Sequence, residues 1–456
     1  MTKNLTSGTP GIVILAFAVP LIIGNAFQQL YSLADAYIVG HIIGAAGIAE
    51  VVSTGSLQFL ILGFLMGITS GASILTAQRF GAADFAGVRR SFVVSIIICV
   101  LITILLMIVS ILTARPLLKL LNTPETIFEG SYVYFVIVLW GMPALLLFNL
   151  LSNVMRAVGD SKTPLYFLIV ACILNIVLDY AFLLILNAGV AGAAAASVIS
   201  QLVSGLLCIP AIIKKLPVLR ITREDWRLDA QEFIDHIKIA LPVGFQWSII
   251  AIGAVAVSFS LNGLGYEAVA AFSIGQRIDQ FAGMPLGSYG QAITTFAAQN
   301  YGARKFSRIR TGALQGGVIA VLFTILTGAV FFFAGDKVAA LFFLEENETA
   351  AAASIELAHL YLKVIGCFFV LLALLYTFRQ TIQGTGNALI PTVSGIIELF
   401  MRTFAALVLT TYFGYIGLCF ASPLAFAGAL IPLSIGMFVV FKKLRAMERL
   451  AEKAPA

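Results

Sequence analysis

Charge is scarce in this sequence. Aspartate, glutamate, lysine and arginine together make up 11% of the 456 residues, against 60% hydrophobic residues. That balance excludes a soluble globular domain and leaves a polytopic membrane protein. Histidine is scarcer still: His41, His236 and His359 lie on separate segments. With no HExxH and no GxSxG, neither a zinc hydrolase nor a serine nucleophile is supported, so no enzyme is expected and no cofactor is implied. The five cysteines, Cys99, Cys172, Cys208, Cys367 and Cys419, all sit in apolar runs without a CxxC pair. This argues against a disulfide framework or a zinc site and makes them small packing residues. Basic residues outnumber acidic ones, 28 to 22, but they are scattered through short loops. Anionic lipid headgroups, not nucleic acid, are their natural partners. The apolar run after Lys3, about 28 residues, is too long for a signal-peptide core and reads as a first, uncleaved span.

What is abundant is apolar sequence in long runs. Twelve segments reach about 20 residues, the length that crosses a bilayer as a helix: six between Ile12 and Ile213, and six between Ile237 and Phe441. This divides the chain into an amino-terminal lobe (1–213), a linker (214–236), a carboxy-terminal lobe (237–441) and a tail (442–456). Lysine and arginine fall unevenly. Arg79, Arg89, Arg90, Arg156, Lys162, Lys214 through Lys238, Arg304 through Arg310 and Lys442 through Lys453 share one side with Lys3, and only Arg115, Lys119 and Lys337 take the other. The bias predicts cytoplasmic termini in a cell inner membrane. The linker mixes charge with Leu216, Val218, Leu219, Ile221 and Trp226; it either lies on the inner membrane surface or is a solvated connector.

The halves resemble each other. RFGAADFAGVRR after the second span pairs with NYGARKFSRIR after the eighth, and MRAVGDSKTP (155–164) with IQGTGNALIP (382–391). Pro20 and Pro242 hold equivalent places, and all these matches fall in order at offsets of 221 to 227 residues. Six spans is an even number, so the two units run in the same sense as parallel repeats, an arrangement suited to alternating access.

Asp35 closes the first span. Gln28, Tyr31 and Asp35 fall on one helical face. Asn175 and Asp179 share a face of the fifth span, and Ser197, Gln201 and Ser204 form a stripe on the sixth. At about 1.5 Å per residue, Asp35, Asp179 and Ser197 all reach the outer half of the bilayer. A carboxylate in hydrocarbon is costly and usually marks an ion or substrate pathway. Such a cluster suits a hard cation or a proton shared by two close carboxyls. Ser200 and Ser204 read as interhelical packing glue. Pro20 removes a backbone hydrogen bond and is either a moving hinge or a static kink.

The paired RAVGDSKTP and QGTGNALIP segments, the AQRFGA and AQNYGA loops and the IGQRIDQFAGMPLG stretch resemble multidrug and toxic compound extrusion (MATE) transporters over essentially the whole chain. The resemblance implies an all-α, two-lobed, V-shaped bundle of twelve helices. It implies export of organic cations or amphiphilic drugs, with protons or sodium ions as the coupling ion; a monomer is expected. Asp35, Asn175, Asp179 and Ser197 fall at the family's amino-terminal cation site, and Gln28, Tyr31, Asn149 and Asn153 at its neighbouring drug pocket. The second half departs from the first: Val257 stands where Asp35 would be, and Gln246, Trp247 and Ile250 offer no carboxylate. There, Glu398 and Arg402 are spaced for an i, i+4 ion pair, His359 and Lys363 sit near an interface, and Asp279 is the candidate substrate or proton contact. A lipid-linked oligosaccharide flippase of related fold is the alternative. It would need many cations in its cavity, whereas the first half offers acids and amides.

Overall fold

The protein is described from a computed structural model covering residues 4–227, 229–342 and 348–453; Lys3 lies outside the described residues. Every regular element among them is helical. The first half comprises α1 (Pro10–Ile42), α2 (Ala45–Ser53), α3 (Gly55–Gly81), α4 (Phe85–Leu120), α5 (Glu125–Trp140), α6 (Met142–Ala157), α7 (Lys162–Tyr180) and α8 (Gly189–Lys215). The second half comprises α9 (Ala230–Asn262), α10 (Tyr266–Gly302), α11 (Phe306–Ala340), α12 (Glu348–Gly384), α13 (Leu389–Phe404), α14 (Thr410–Cys419) and α15 (Ala421–Lys453).

Among the described residues ten helical stretches are long and apolar enough to cross a membrane, and the bent pair α5 and α6, counted as one span, makes an eleventh. Two of the twelve expected spans therefore differ from simple apolar rods. The fourth breaks at Gly141, where α5 and α6 meet at 44°. Pro143 lies in the first turn of α6, and a Cβ at Gly141 would collide with Val198. The eighth, α10, is long enough at 37 residues, but Glu267, Gln276, Arg277, Asp279 and Gln280 make its first half polar.

The described chain packs as two compact units. Phe17–Ser248 makes up the bulk of one, and Leu5–Ala16 with Ile249–Ala456 makes up the other. The opening turns of α1 therefore belong to the second unit and those of α9 to the first. In the second unit, Leu5 N donates to Gln299 Oε1 (3.0 Å), Asn300 Nδ2 to Leu5 O (3.2 Å) and Lys305 Nζ to Thr6 O (2.8 Å). In the first, Arg79 pairs with Glu232 (2.9 Å), and His236 Nε2 lies 2.8 Å from Ser91 Oγ. The repeated AQRFGA and AQNYGA loops thus each grip the start of the first helix of the opposite half. Small residues complete the grip on α9. Gly63, Gly67 and Gly71, spaced by four on α3, face Trp247, Gly244 and Ala240, and a Cβ at Gly67 or Gly71 would fall 2.7 Å from α9 backbone carbon. Close backbone approach through small-xxx-small faces is a common way for membrane helices to associate.

Local conformations recur along the chain. Gly44 and Gly265 (φ 89° and 92°), Ala83 and Arg304 (57° and 56°), Gly159 and Gly386 (88° and 89°), and Gly189 and Gly414 (57° and 58°) are left-handed at matching places. The RAVGDSKTP and QGTGNALIP motifs share a physical cause. Gly159 and Gly386 reverse the chain with positive φ, and the next residue supplies a side-chain acceptor to the following helix. Asp160 Oδ1 accepts from Thr163 N (3.0 Å), and Asn387 Oδ1 accepts from Ile390 N (3.3 Å). π-helical turns follow α7 at Ala181–Ile185 and α13 at Ala405–Leu409.

Candidate cation and substrate site

Three helices of the first unit converge on Asp35. Helix α1 presents Gln28, Tyr31 and Asp35, which a helix places on one face at steps of three and four. Helix α7 presents Asn175 and Asp179, both fully buried, and α8 presents Ser197. The Asp35 and Asp179 carboxyls lie within hydrogen-bonding reach of each other. Oδ1 of each is buried without a partner. With its amide nitrogen turned toward Asp179, Asn175 donates to Asp179 Oδ2 at 2.8 Å and accepts from Ser197 N at 3.3 Å. Ser197 Oγ lies 2.7 Å from the Tyr31 hydroxyl.

Two carboxyls this close repel each other when both are ionised, and a proton or cation between them relieves the repulsion. Asp179 lies in the last turn of α7, just before the helix changes its winding. The π-helical turn immediately beyond it, Ala181–Ile185, is an irregularity often found at functional sites. Among the described residues no three of His, Cys, Asp and Glu gather to hold a metal. The two carboxyls here have an amide and a hydroxyl beside them instead; Asn175 gives its nitrogen to Asp179 in this arrangement, and turning the amide over would complete the oxygen set that hard cations take.

The other first-half candidates are distributed differently. Gln28 and Tyr31 line a cleft of about 10 Å³ with Leu168, Cys172, Ser200 and Gln201, room for about one water molecule. Asn149 and Asn153, on α6, are not drawn into the carboxyl cluster. Asn149 Nδ2 donates to Leu145 O (2.9 Å), and Asn153 Nδ2 to Thr69 Oγ1 (3.2 Å). Ser204 ties α8 to α7 by donating to Phe167 O at 2.9 Å. Pro20 lies inside the unbroken α1. The hydrogen bond it cannot make would close on Ala16, the last residue of α1 that packs with the second unit.

Tyr134, on α5, is a member of this neighbourhood that the sequence did not mark. It is buried, near Gln58 and within electrostatic reach of Asp35 and Asp179. In the run YVYFVIVLW a tyrosine near a carboxylate looks like any aromatic in an apolar span.

In the second unit, Tyr361 OH donates to Asp279 Oδ2 at 3.3 Å. Glu398 pairs with Arg402 (3.0 Å), at the i, i+4 spacing, and also with Arg379 (2.7 Å). The link to Arg379 joins two helices and has no local sequence signature. His359 Nε2 lies 3.2 Å from Phe332 O, and Lys363 Nζ is 6.0 Å from the Phe332 ring centre, so both face α11.

The family model described as MatE matches the chain twice, at residues 20–181 and 242–427. The chain belongs to the MatE family. Among curated relatives of this MATE protein, the probable multidrug resistance protein YoeA of Bacillus subtilis is 28% identical over 96% of this chain and 95% of its own. The probable multidrug resistance protein NorM of Thermotoga maritima is 25% identical over 88% of this chain and 86% of its own. The fold matches a solved outward-facing multidrug resistance MATE family transporter with a TM-score of 0.87 at 23% identity, over 98% of this chain and 99% of that one. The protein is thus a multi-pass membrane protein of a transporter family.

Proposed function

We propose that this MATE protein is a secondary active exporter that exchanges cytoplasmic organic cations or amphiphilic drugs for protons or sodium ions. The observation that carries the reading is the contact between Asp35 and Asp179. The pair can hold one positive charge well, so the drug and the coupling ion exclude each other. Asn175 and Ser197 complete the ion's oxygen shell, and Gln28 and Tyr31 face the drug on the same stripe of α1. Asn149 and Asn153 line its route, and Asp279 offers a contact in the second unit. Pro20, at the place where α1 passes from one unit to the other, is the hinge. Similarity to multidrug resistance proteins and the acid-and-amide character of the cluster both weigh against a flippase.

The reading extends to architecture. Twelve spans in two parallel six-helix repeats, with lobes at 1–213 and 237–441, a 214–236 linker and a 442–456 tail, account for the paired left-handed residues and the two π-helical turns at matching places. The chain acts as a monomer in the cell inner membrane with both termini cytoplasmic, as the basic-loop bias favours.

Transport of a cationic dye in proteoliposomes, with proton and sodium gradients imposed separately, tests the proposal. At least one gradient should drive dye movement, which should stop when that gradient is collapsed. Indifference to both would overturn it.

A further inference from the structure

A large cavity of the first unit lies away from the carboxyl cluster. It has a volume of about 780 Å³ and is walled by α4, α6, α8 and the segment after α8. Its walls are apolar except for Thr103 and Arg220. Along α4 it runs from Phe92 to Ile104, about 18 Å at the helical rise. Half of a bilayer's hydrocarbon core is about 15 Å, so the cavity is one leaflet deep. Leu219, Arg220 and Ile221 form its rim. There Arg220 Nε donates to Ile213 O at 2.6 Å, which fixes the side chain at the mouth with its guanidinium exposed. Lys214 and Lys215, which directly follow Ile213, are also exposed. Of the nearby acids, Asp225 is already spent on Arg89 at 3.1 Å.

We propose that this cavity binds an anionic phospholipid, with one acyl chain between α4, α6 and α8 and the phosphate on Arg220. Arginine suits the phosphate because it presents several donors in a fixed fork, and juxtamembrane cations attract anionic lipids. The same charge disfavours the organic cations assigned to the Asp35 cluster, so the cavity is not a second drug pocket. A bound lipid would also seat the linker against the bundle, because rim and wall belong to one surface. Assignment to the cytoplasmic leaflet rests on the proposed topology. Lipid retention in detergent does not depend on orientation, so the site and the topology can fail separately.

Native mass spectrometry of the purified full chain, incubated with equal amounts of phosphatidylglycerol and phosphatidylcholine of the same acyl composition, tests this. The wild type should retain phosphatidylglycerol preferentially. Arg220→Gln should reduce that preference about fivefold, and Arg220→Lys, which keeps the charge but not the fork, should fall between the wild type and Arg220→Gln. Ile209→Trp, at a half-exposed wall position, should fill the cavity and lower retention of both lipids. Dye binding at the Asp35 cluster should be unchanged in all three variants, which also shows that they fold. Equal retention of the two lipids by the wild type would overturn the proposal, as would retention indifferent to both Arg220→Gln and Ile209→Trp. Loss of dye binding in folded Ile209→Trp would make the cavity a drug site and overturn it equally.

Discussion

The Tyr31 hydroxyl lies 2.7 Å from Ser197 Oγ, joining the polar stripe of α1 to α8. The two roles proposed for this region therefore meet in one hydrogen bond. Interhelical bonds of this kind are worth about 0.6 kcal/mol, so Tyr31→Phe should fold normally and shift ion affinity by about threefold at most. Ser197→Ala removes an ion ligand and should weaken ion affinity about tenfold or more, and Ser197→Thr should restore it. The ion concentration that half-displaces bound dye measures all three; an unchanged value for Ser197→Ala would remove Ser197 from the site.

Glu398 holds both Arg379 and Arg402 in a buried cluster. Removing the shared carboxylate strands buried Arg379 and partly buried Arg402, and breaking a buried pair typically costs about 3–5 kcal/mol. Glu398→Gln should lower the melting temperature and the yield while leaving transport per folded molecule largely intact. Arg402→Gln should be milder, because Glu398 keeps Arg379. Normal stability with abolished transport in Glu398→Gln would show that the cluster is functional, not structural.

The linker is anchored where Asp225 accepts from Arg89 Nε (3.1 and 3.2 Å) and from Thr222 N and Oγ1 (both 2.7 Å). Burial alone would raise its carboxyl, but the Thr222 hydrogen bonds and the Arg89 charge outweigh burial and hold it below the usual carboxylate range. A depressed folded value means that the anchor is fully present above about pH 4, the unfolded value, and is lost as pH falls through the folded value. The fluorescence of Trp226, one residue on, should be flat between pH 5 and 8 and change only in more acid solution, with Trp226→Phe as the control. A transition between pH 5 and 8 would contradict this account of the anchor.

The α3 face of Gly63, Gly67 and Gly71 meets α9 at backbone distance. Gly67→Val should separate the helices and sharply reduce the amount of folded protein in the membrane, whereas Gly55→Ala on the same helix, with nothing near its Cβ, should be tolerated. Equal expression of both variants would show that the close approach is dispensable.

Much of this was legible in the sequence because it is local. Apolar runs mark helices, and the period of 3.6 residues puts Gln28, Tyr31 and Asp35 on one face. The glycine and acceptor of each repeated loop report their own turn. Partnership across the fold was not legible. Periodicity gives a face but not its neighbour, so Tyr134 beside the carboxyls and Arg379 beside Glu398 emerged only with tertiary structure. The same holds for the small face of α3, whose glycines are unremarkable in a helix until α9 lies against them. The exchange of opening turns between the units leaves no local trace either, since Leu5–Ala16 reads as the ordinary beginning of a first span.

The most direct test of the central claim is dye binding to purified wild type and Asp35→Asn across pH 5 to 8, with and without sodium. Asparagine keeps the shape and hydrogen-bonding capacity of Asp35 but fixes its charge at zero. Wild-type binding should weaken as the coupling ion is raised. Asp35→Asn should fold, bind the dye more weakly, respond little to either ion and fail to export. Full ion-sensitive binding together with export by Asp35→Asn would contradict competition of drug and ion for the Asp35 and Asp179 pair.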